Sequence, residues 1–134
     1  MKYKILLVDD DRALLKMLSN FLELKGYEVN TASGGMEAME SIKAAPDLIL
    51  LDINMPGMDG LKMIAALRVE FPEMQISILT GYRDFDYAQQ AIRLGVTRFL
   101  LKPSNMDEIE EAVQVMAENL KKRNITGEED ESEN

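Results

Sequence analysis

The 134-residue chain contains no cysteine and no histidine. Without cysteine there is no disulfide, no thiolate nucleophile and no sulfur ligand, which suits a reducing compartment, so a cytoplasmic location is expected. Without histidine the commonest general base and metal ligand is missing. Any chemistry therefore falls to carboxylates, hydroxyls, amines and the cations that oxygen atoms hold. No apolar run approaches the length of a transmembrane helix, and no membrane partner is expected. The opening MKYKILLVDDD runs from a short apolar stretch into three acids and lacks the small-residue cleavage site of a signal peptide.

What is present is a globular composition, 46% hydrophobic, at a length that suits one domain with a real core. The formal charge is −9, but the last eight residues, GEEDESEN, contribute five acids and no base, leaving about −4 on the rest. That balance argues against direct binding of nucleic acid by the body, since phosphate contacts need clustered Lys and Arg. Residues 124–134 have almost nothing to bury and read as a disordered acidic tail or a truncated linker behind a domain at 1–123.

Strand and helix patterns alternate along the body. Apolar strands are predicted at 3–8, 27–32, 47–51, 75–79 and 96–101. Between and after them, apolar residues recur at helical spacing: Leu14, Leu15, Leu18 and Leu22; Met36, Met39 and Ile42; Leu61, Ile64 and Ala65; Ala88, Ala91 and Ile92; and Ile109, Ala112, Val113, Met116, Ala117 and Leu120. Gly26 and Gly95 read as helix closures. Five βα units in register predict a doubly wound α/β domain, a parallel sheet covered on both faces.

Four of the five strands carry polar residues where they end. LILLDINMPGMDG, residues 48–60, drives an apolar strand into Asp52 and a turn-rich loop. The first strand ends in Asp9 and Asp10, the fourth in Thr80 and the fifth in Lys102. In open parallel sheets sites form outside the carboxyl ends of the strands, so three carboxylates, a hydroxyl and an ammonium are expected to converge there. Carboxylates in that number repel one another, and a hard cation such as Mg²⁺ relieves the repulsion. Asp52 could then attack phosphorus and form an acyl phosphate, with Lys102 and the metal neutralising the transferred group and Thr80 hydrogen-bonding it. Plainer roles fit some of these residues. Asp11 and Asp59 read as helix N-caps. Phe99 suits ordinary core as well as it suits a mobile aromatic, and the methionines read as gap-filling core.

VDDD after the first strand, LLDINMPGMDG after the third, ILTGY after the fourth and FLLKP after the fifth together resemble the receiver (CheY-like) domain of two-component response regulators. The resemblance implies a strand order 2-1-3-4-5. It implies Asp52 as phosphoacceptor, Asp9 and Asp10 as the acidic pair for Mg²⁺ with Asp10 the direct ligand, and the backbone carbonyl of Asn54 as a further ligand. It also implies Thr80 and Phe99 as a switch pair, Lys102 as the phosphate-contacting lysine, and a cis bond between Lys102 and Pro103. A sensor histidine kinase would be the donor. An output protein or a missing C-terminal output domain would be the target, and a phosphorylation-dependent homodimer is a further expectation. The stretch GYRDFDYAQQAI, 81–92, resembles receivers that carry a DNA-binding output domain. The alternatives are a phosphorylation-independent interaction module and an aspartyl-phosphate phosphatase. The phosphatase reading lacks the second aspartate two residues past the nucleophile, where Asn54 stands.

Overall fold

The structure, a computed structural model, describes residues 2–53, 55, 59–81, 85–102 and 104–133, with side chains as far as Arg123. In chain order the elements are β1 (Lys4–Val8), α1 (Arg12–Leu24), β2 (Glu28–Ala32), α2 (Gly35–Ile42), β3 (Leu48–Leu51), α3 (Gly60–Glu70), β4 (Gln75–Thr80), α4 (Phe85–Arg93), β5 (Phe99–Leu101) and α5 (Met106–Glu133). The strands form one parallel sheet in the order β2-β1-β3-β4-β5. This is the doubly wound α/β fold that the alternating pattern predicts, in the strand order that the family resemblance implies.

Side-chain alternation along the strands divides the core in two. Ile5, Leu7, Leu48, Leu50 and Leu79 point to one face, where Leu15, Leu18 and Leu22 of α1 and Ile109, Val113 and Met116 of α5 cover them. Leu6, Val8, Ile49, Leu51, Ile76 and Ile78 point to the other, under residues of α2, α3 and α4. Central strands β1, β3 and β4 are buried on both faces almost throughout, as their unbroken apolar runs require. The edges differ: β2 is mostly exposed and β5 is half-buried along its three residues.

Helix ends follow local chemistry. The Asp11 carboxylate accepts from the Leu14 N–H at 3.1 Å and caps α1; Asp59 caps α3 by accepting from the Lys62 N–H at 3.1 Å. Gly26 closes α1 at φ +97°, a conformation few other residues adopt cheaply.

Two expectations are corrected. Met36 and Met39 do not face the core: they are 87% and 55% exposed, and α2 buries Ala38 and Ile42 instead. On α4 Ala91 is the buried residue while Ile92 is exposed. Helical backbone of α5 continues to Glu133. Extending an existing helix needs no new nucleus, and Glu is a good helix former, so an acidic segment without apolar surface can still continue one. Among the described residues no helix is long and apolar enough to cross a membrane.

Candidate functional site at the carboxyl edge of the sheet

Register alone brings the acids together. Val8 of β1 lies opposite Leu51 of β3, so the residues that follow, Asp9 and Asp52, leave neighbouring strands at the same height. Backbone bonds hold both turns: Asp9 N–H donates to Ala32 O at 3.1 Å and Asp52 N–H to Val8 O at 2.8 Å. Asp10 follows immediately and is exposed. One carboxylate oxygen from each of Asp9, Asp10 and Asp52 lies within 4.8 Å of the others. Lys102 directly follows β5, two strand spacings or about 10 Å from β3, a gap that needs a side chain of its length. Its Nζ donates to Asp9 Oδ2 at 2.7 Å and to Asp52 Oδ2 at 3.2 Å.

The electrostatics are unbalanced. Two of the three acids are buried and one ammonium serves them. Carboxylates this close repel one another, most strongly the buried pair Asp9 and Asp52. Burial pushes the Asp9 carboxyl above the usual aspartate value, against hydrogen bonds from Lys102 and from the Asp11 N–H, with a smaller push from Asp52. Burial works against the Lys102 ammonium, but the hydrogen bonds to Asp9 and Asp52 and the charges of those two acids together hold that group above an ordinary lysine. Three carboxylates open to solvent through Asp10 are a hard-oxygen donor set, which fits Mg²⁺ or Ca²⁺ and not a soft metal.

Thr80 is the last residue of β4 and is fully buried, and its carbonyl accepts from the Lys102 N–H at 2.8 Å, so β4 and the lysine are joined through backbone. Phe99 opens β5 opposite Ile78, half-buried against the core under α2, α3 and α4. The two expected switch residues therefore sit at different heights of the β4–β5 pair. Asn54 and Pro103 lie outside the described residues, as do the ligand role and the cis bond expected of them. The sequence reading missed the Asp11 N–H, which donates to Asp9 Oδ1 at 2.9 Å; a main-chain donor leaves no signal in residue type.

A model of the response regulator receiver domain matches residues 5–114, most of the chain. The chain belongs to the receiver domain family of response regulators. Its relatives include sporulation initiation phosphotransferase F of Bacillus subtilis, 35% identical over 115 residues that cover 85% of this chain and 93% of that protein. A CheY-like receiver domain protein from Methanospirillum hungatei superposes with a TM-score of 0.83 at 30% identity, covering 91% of this chain and 99% of that one. A Burkholderia pseudomallei response regulator, whose crystal structure has a phosphorylated aspartic acid, a calcium ion and citrate, matches at 32% identity and a TM-score of 0.75, over 87% of this chain and 72% of that one. Several other curated relatives, regulators by name, are longer: this receiver spans only 22–52% of their length. Receiver domains are signalling phosphoacceptors and not typical enzymes, which sets the question the site must answer.

Proposed function

We propose that this receiver accepts one phosphoryl group on Asp52 from a phosphohistidine of a sensor kinase and passes the change to an output protein or domain. The observation that carries the reading is the shared Lys102 ammonium, bonded at once to Asp9 and Asp52 with a third carboxylate alongside. An Asp52 carboxylate oxygen forms the new P–O bond as the P–N bond to the donor imidazole breaks, and the released imidazole takes up a proton. Lys102, already against Asp52, meets the phosphoryl oxygens where negative charge gathers. Asp9, Asp10 and Asp52, with the Asn54 carbonyl that the family resemblance adds, would hold Mg²⁺. When bound, that ion supplies charge neutralisation at the transferring group. The Burkholderia relative, with its phosphorylated aspartic acid and calcium ion, supports both halves of this reading. The location is cytoplasmic, where such a kinase presents its histidine.

In the phosphorylated state the Thr80 hydroxyl bonds a phosphoryl oxygen and Phe99 repacks, changing the surface of α4, β5 and α5. That surface is the one read by the output partner or by a second copy of the chain. The ligand bond present in only one state is what shifts the population. The test is labelling with acetyl phosphate and Mg²⁺, followed by intact mass. Wild type gains one phosphoryl group and Asp52→Asn gains none; equal labelling of the two rejects the acceptor. Thr80→Ala is labelled but shows reduced NMR shifts at Phe99 on adding beryllofluoride. Full-size shifts there reject the switch and leave the acceptor in place.

A further inference from the structure

Gly60, the first residue of α3, is buried. A Cβ placed on it would lie 2.5 Å from both Cβ and Cγ2 of Ile53 and 2.8 Å from Ile53 Cα, where carbon atoms rest at about 3.5–4 Å. No rotamer of Ile53 relieves this, because its Cβ and Cα move only with the main chain and the β-branched side chain is stiff. Nor does torsion explain the glycine. The described glycines with positive φ are Gly26 and Gly95, and glycine is a poor helix former. Gly60 is there for space.

That space matters because of what adjoins it. Ile53 directly follows Asp52 and is itself buried in the core under α2, α3 and α4. Above it, the first turn of α3 is fixed by the Asp59 cap on Lys62 and by Met63 N–H donating to Asp59 O at 3.1 Å. A side chain at 60 therefore forces the main chain at Ile53 and α3 apart, one peptide from the acceptor. We infer that Gly60 is a positioning residue for phosphoryl acceptance: its missing side chain seats α3 directly on the main chain at Ile53 and so fixes the Asp52 carboxylate against Lys102. The inference rests on the reading of Asp52 as acceptor.

The experiment compares Gly60→Ala with Leu67→Ala, a core truncation further along the same helix, by acetyl phosphate labelling with Mg²⁺ well below both melting temperatures. Leu67→Ala should melt earlier yet label at the wild-type rate. Gly60→Ala should label at least about tenfold more slowly and bind beryllofluoride correspondingly more weakly, since misplacing a reacting group by a fraction of an ångström is enough for such losses. Labelling of folded Gly60→Ala within about twofold of wild type, or equal slowing in Leu67→Ala, overturns the inference and leaves the acceptor assignment standing. A wild type that takes no label overturns the acceptor assignment, and the inference with it. If Gly60→Ala does not fold, the comparison moves to Ile53→Ala, which removes the Cγ2 contact. There the double variant should label at least about threefold more slowly than Ile53→Ala, and equal rates overturn the inference.

Discussion

At the carboxyl ends of the strands three carboxylates lie together and one ammonium bonds two of them; at the amino ends a guanidinium is matched, bond for bond, by neutral carbonyls. There the Arg68 guanidinium, from the last turn of α3, donates through Nε to Leu94 O at 2.8 Å, through Nη2 to Gly95 O at 2.9 Å and through Nη1 to Met74 O. Gln75 Oε1 accepts from Thr97 Oγ1 and Asn119 Nδ2, each at 3.0 Å, joining β4 to the start of β5 and to α5. Arg123 donates to Glu73 Oε2 at 2.7 Å. Among the described residues no buried side-chain polar atom lacks a partner, yet the two ends differ in charge. Carbonyls bring no net charge to Arg68, whereas the carboxyl end holds excess negative charge in low dielectric. A structure responds to a ligand only through a difference in how its states bind it. The carboxyl end, with its excess charge, has that difference to offer a cation, and the amino end, already saturated, holds the ends of α4 and α5 in place.

The comparison is broken most directly at Lys102. Lys102→Met keeps most of the stem and removes the charge. We expect labelling to slow by about 100-fold or more, roughly 3 kcal/mol in the barrier, by analogy with loss of one preorganised donor. Its two acids lose their shared cation, so Mg²⁺ should raise the melting temperature more than it does in wild type. An intact-mass time course and a melt with and without Mg²⁺ measure both. Labelling that barely slows would show that the ammonium is not what makes this end responsive.

Arg68→Ala should do the opposite. Three carbonyls lose a charged donor, and a loss of about 2–4 kcal/mol follows, on the order of 10 °C in melting temperature for a domain of this size. Labelling at Asp52 should stay within about twofold of wild type once the variant is folded, because Arg68 lies at the far end of the sheet. A parallel fall in labelling would mean that the two ends do not act separately.

The sequence revealed the carboxyl end far better than the amino end, and the reason is chemical. Asp9, Asp10, Asp52 and Lys102 are charged residues at the ends of apolar runs, so their types and positions carry the signal. Arg68 works through backbone carbonyls 6, 26 and 27 residues away, and a carbonyl belongs to every residue. Gln75 reads as the first residue of a strand until Asn119 arrives from α5. Strands β1, β3 and β4 were legible because they are buried on both faces. The inward faces of α2 and α4 were not, because Ala38 and Ala91 fill positions next to strands while the larger Met36, Met39 and Ile92 face out. Gly60 was legible as a turn residue, but its contact with Ile53 exists only once α3 is folded against the main chain behind Asp52.

Asp10 and Asp11, adjacent in sequence, give a smaller and sharper test of the charged end. Asp11→Ala removes the α1 cap and should cost about 1 kcal/mol while leaving Mg²⁺ affinity within about twofold. Asp10→Ala removes an exposed acid from the cluster and should change stability without metal by less than about 0.5 kcal/mol, yet weaken Mg²⁺ binding at least about tenfold. Metal titration followed by NMR separates them. Equal affinities would remove Asp10 from the ligand set and leave the excess charge to Asp9 and Asp52.

The smallest effect is expected beyond both ends, in residues 127–134. They supply five acids, Glu128, Glu129, Asp130, Glu131 and Glu133, and no aliphatic or aromatic side chain. Helical backbone reaches Glu133, but a helix gains its stability chiefly by burying an apolar face, and negative charge at a helix C-terminus opposes the helix dipole. The described anchor of α5 nearest this stretch is Arg123, on Glu73. Truncation after Thr126 keeps that anchor and should change stability by less than about 0.5 kcal/mol. The labelling rate should rise slightly at low salt, since five fewer negative charges repel an anionic phosphodonor less, and the rise should vanish near 0.5 M salt, where screening is nearly complete. Thermal melts and labelling at two ionic strengths measure both quantities. A drop of several degrees would mean that the acidic segment docks on the body, and the amino end would then have an anchor beyond Arg68, Gln75 and Arg123.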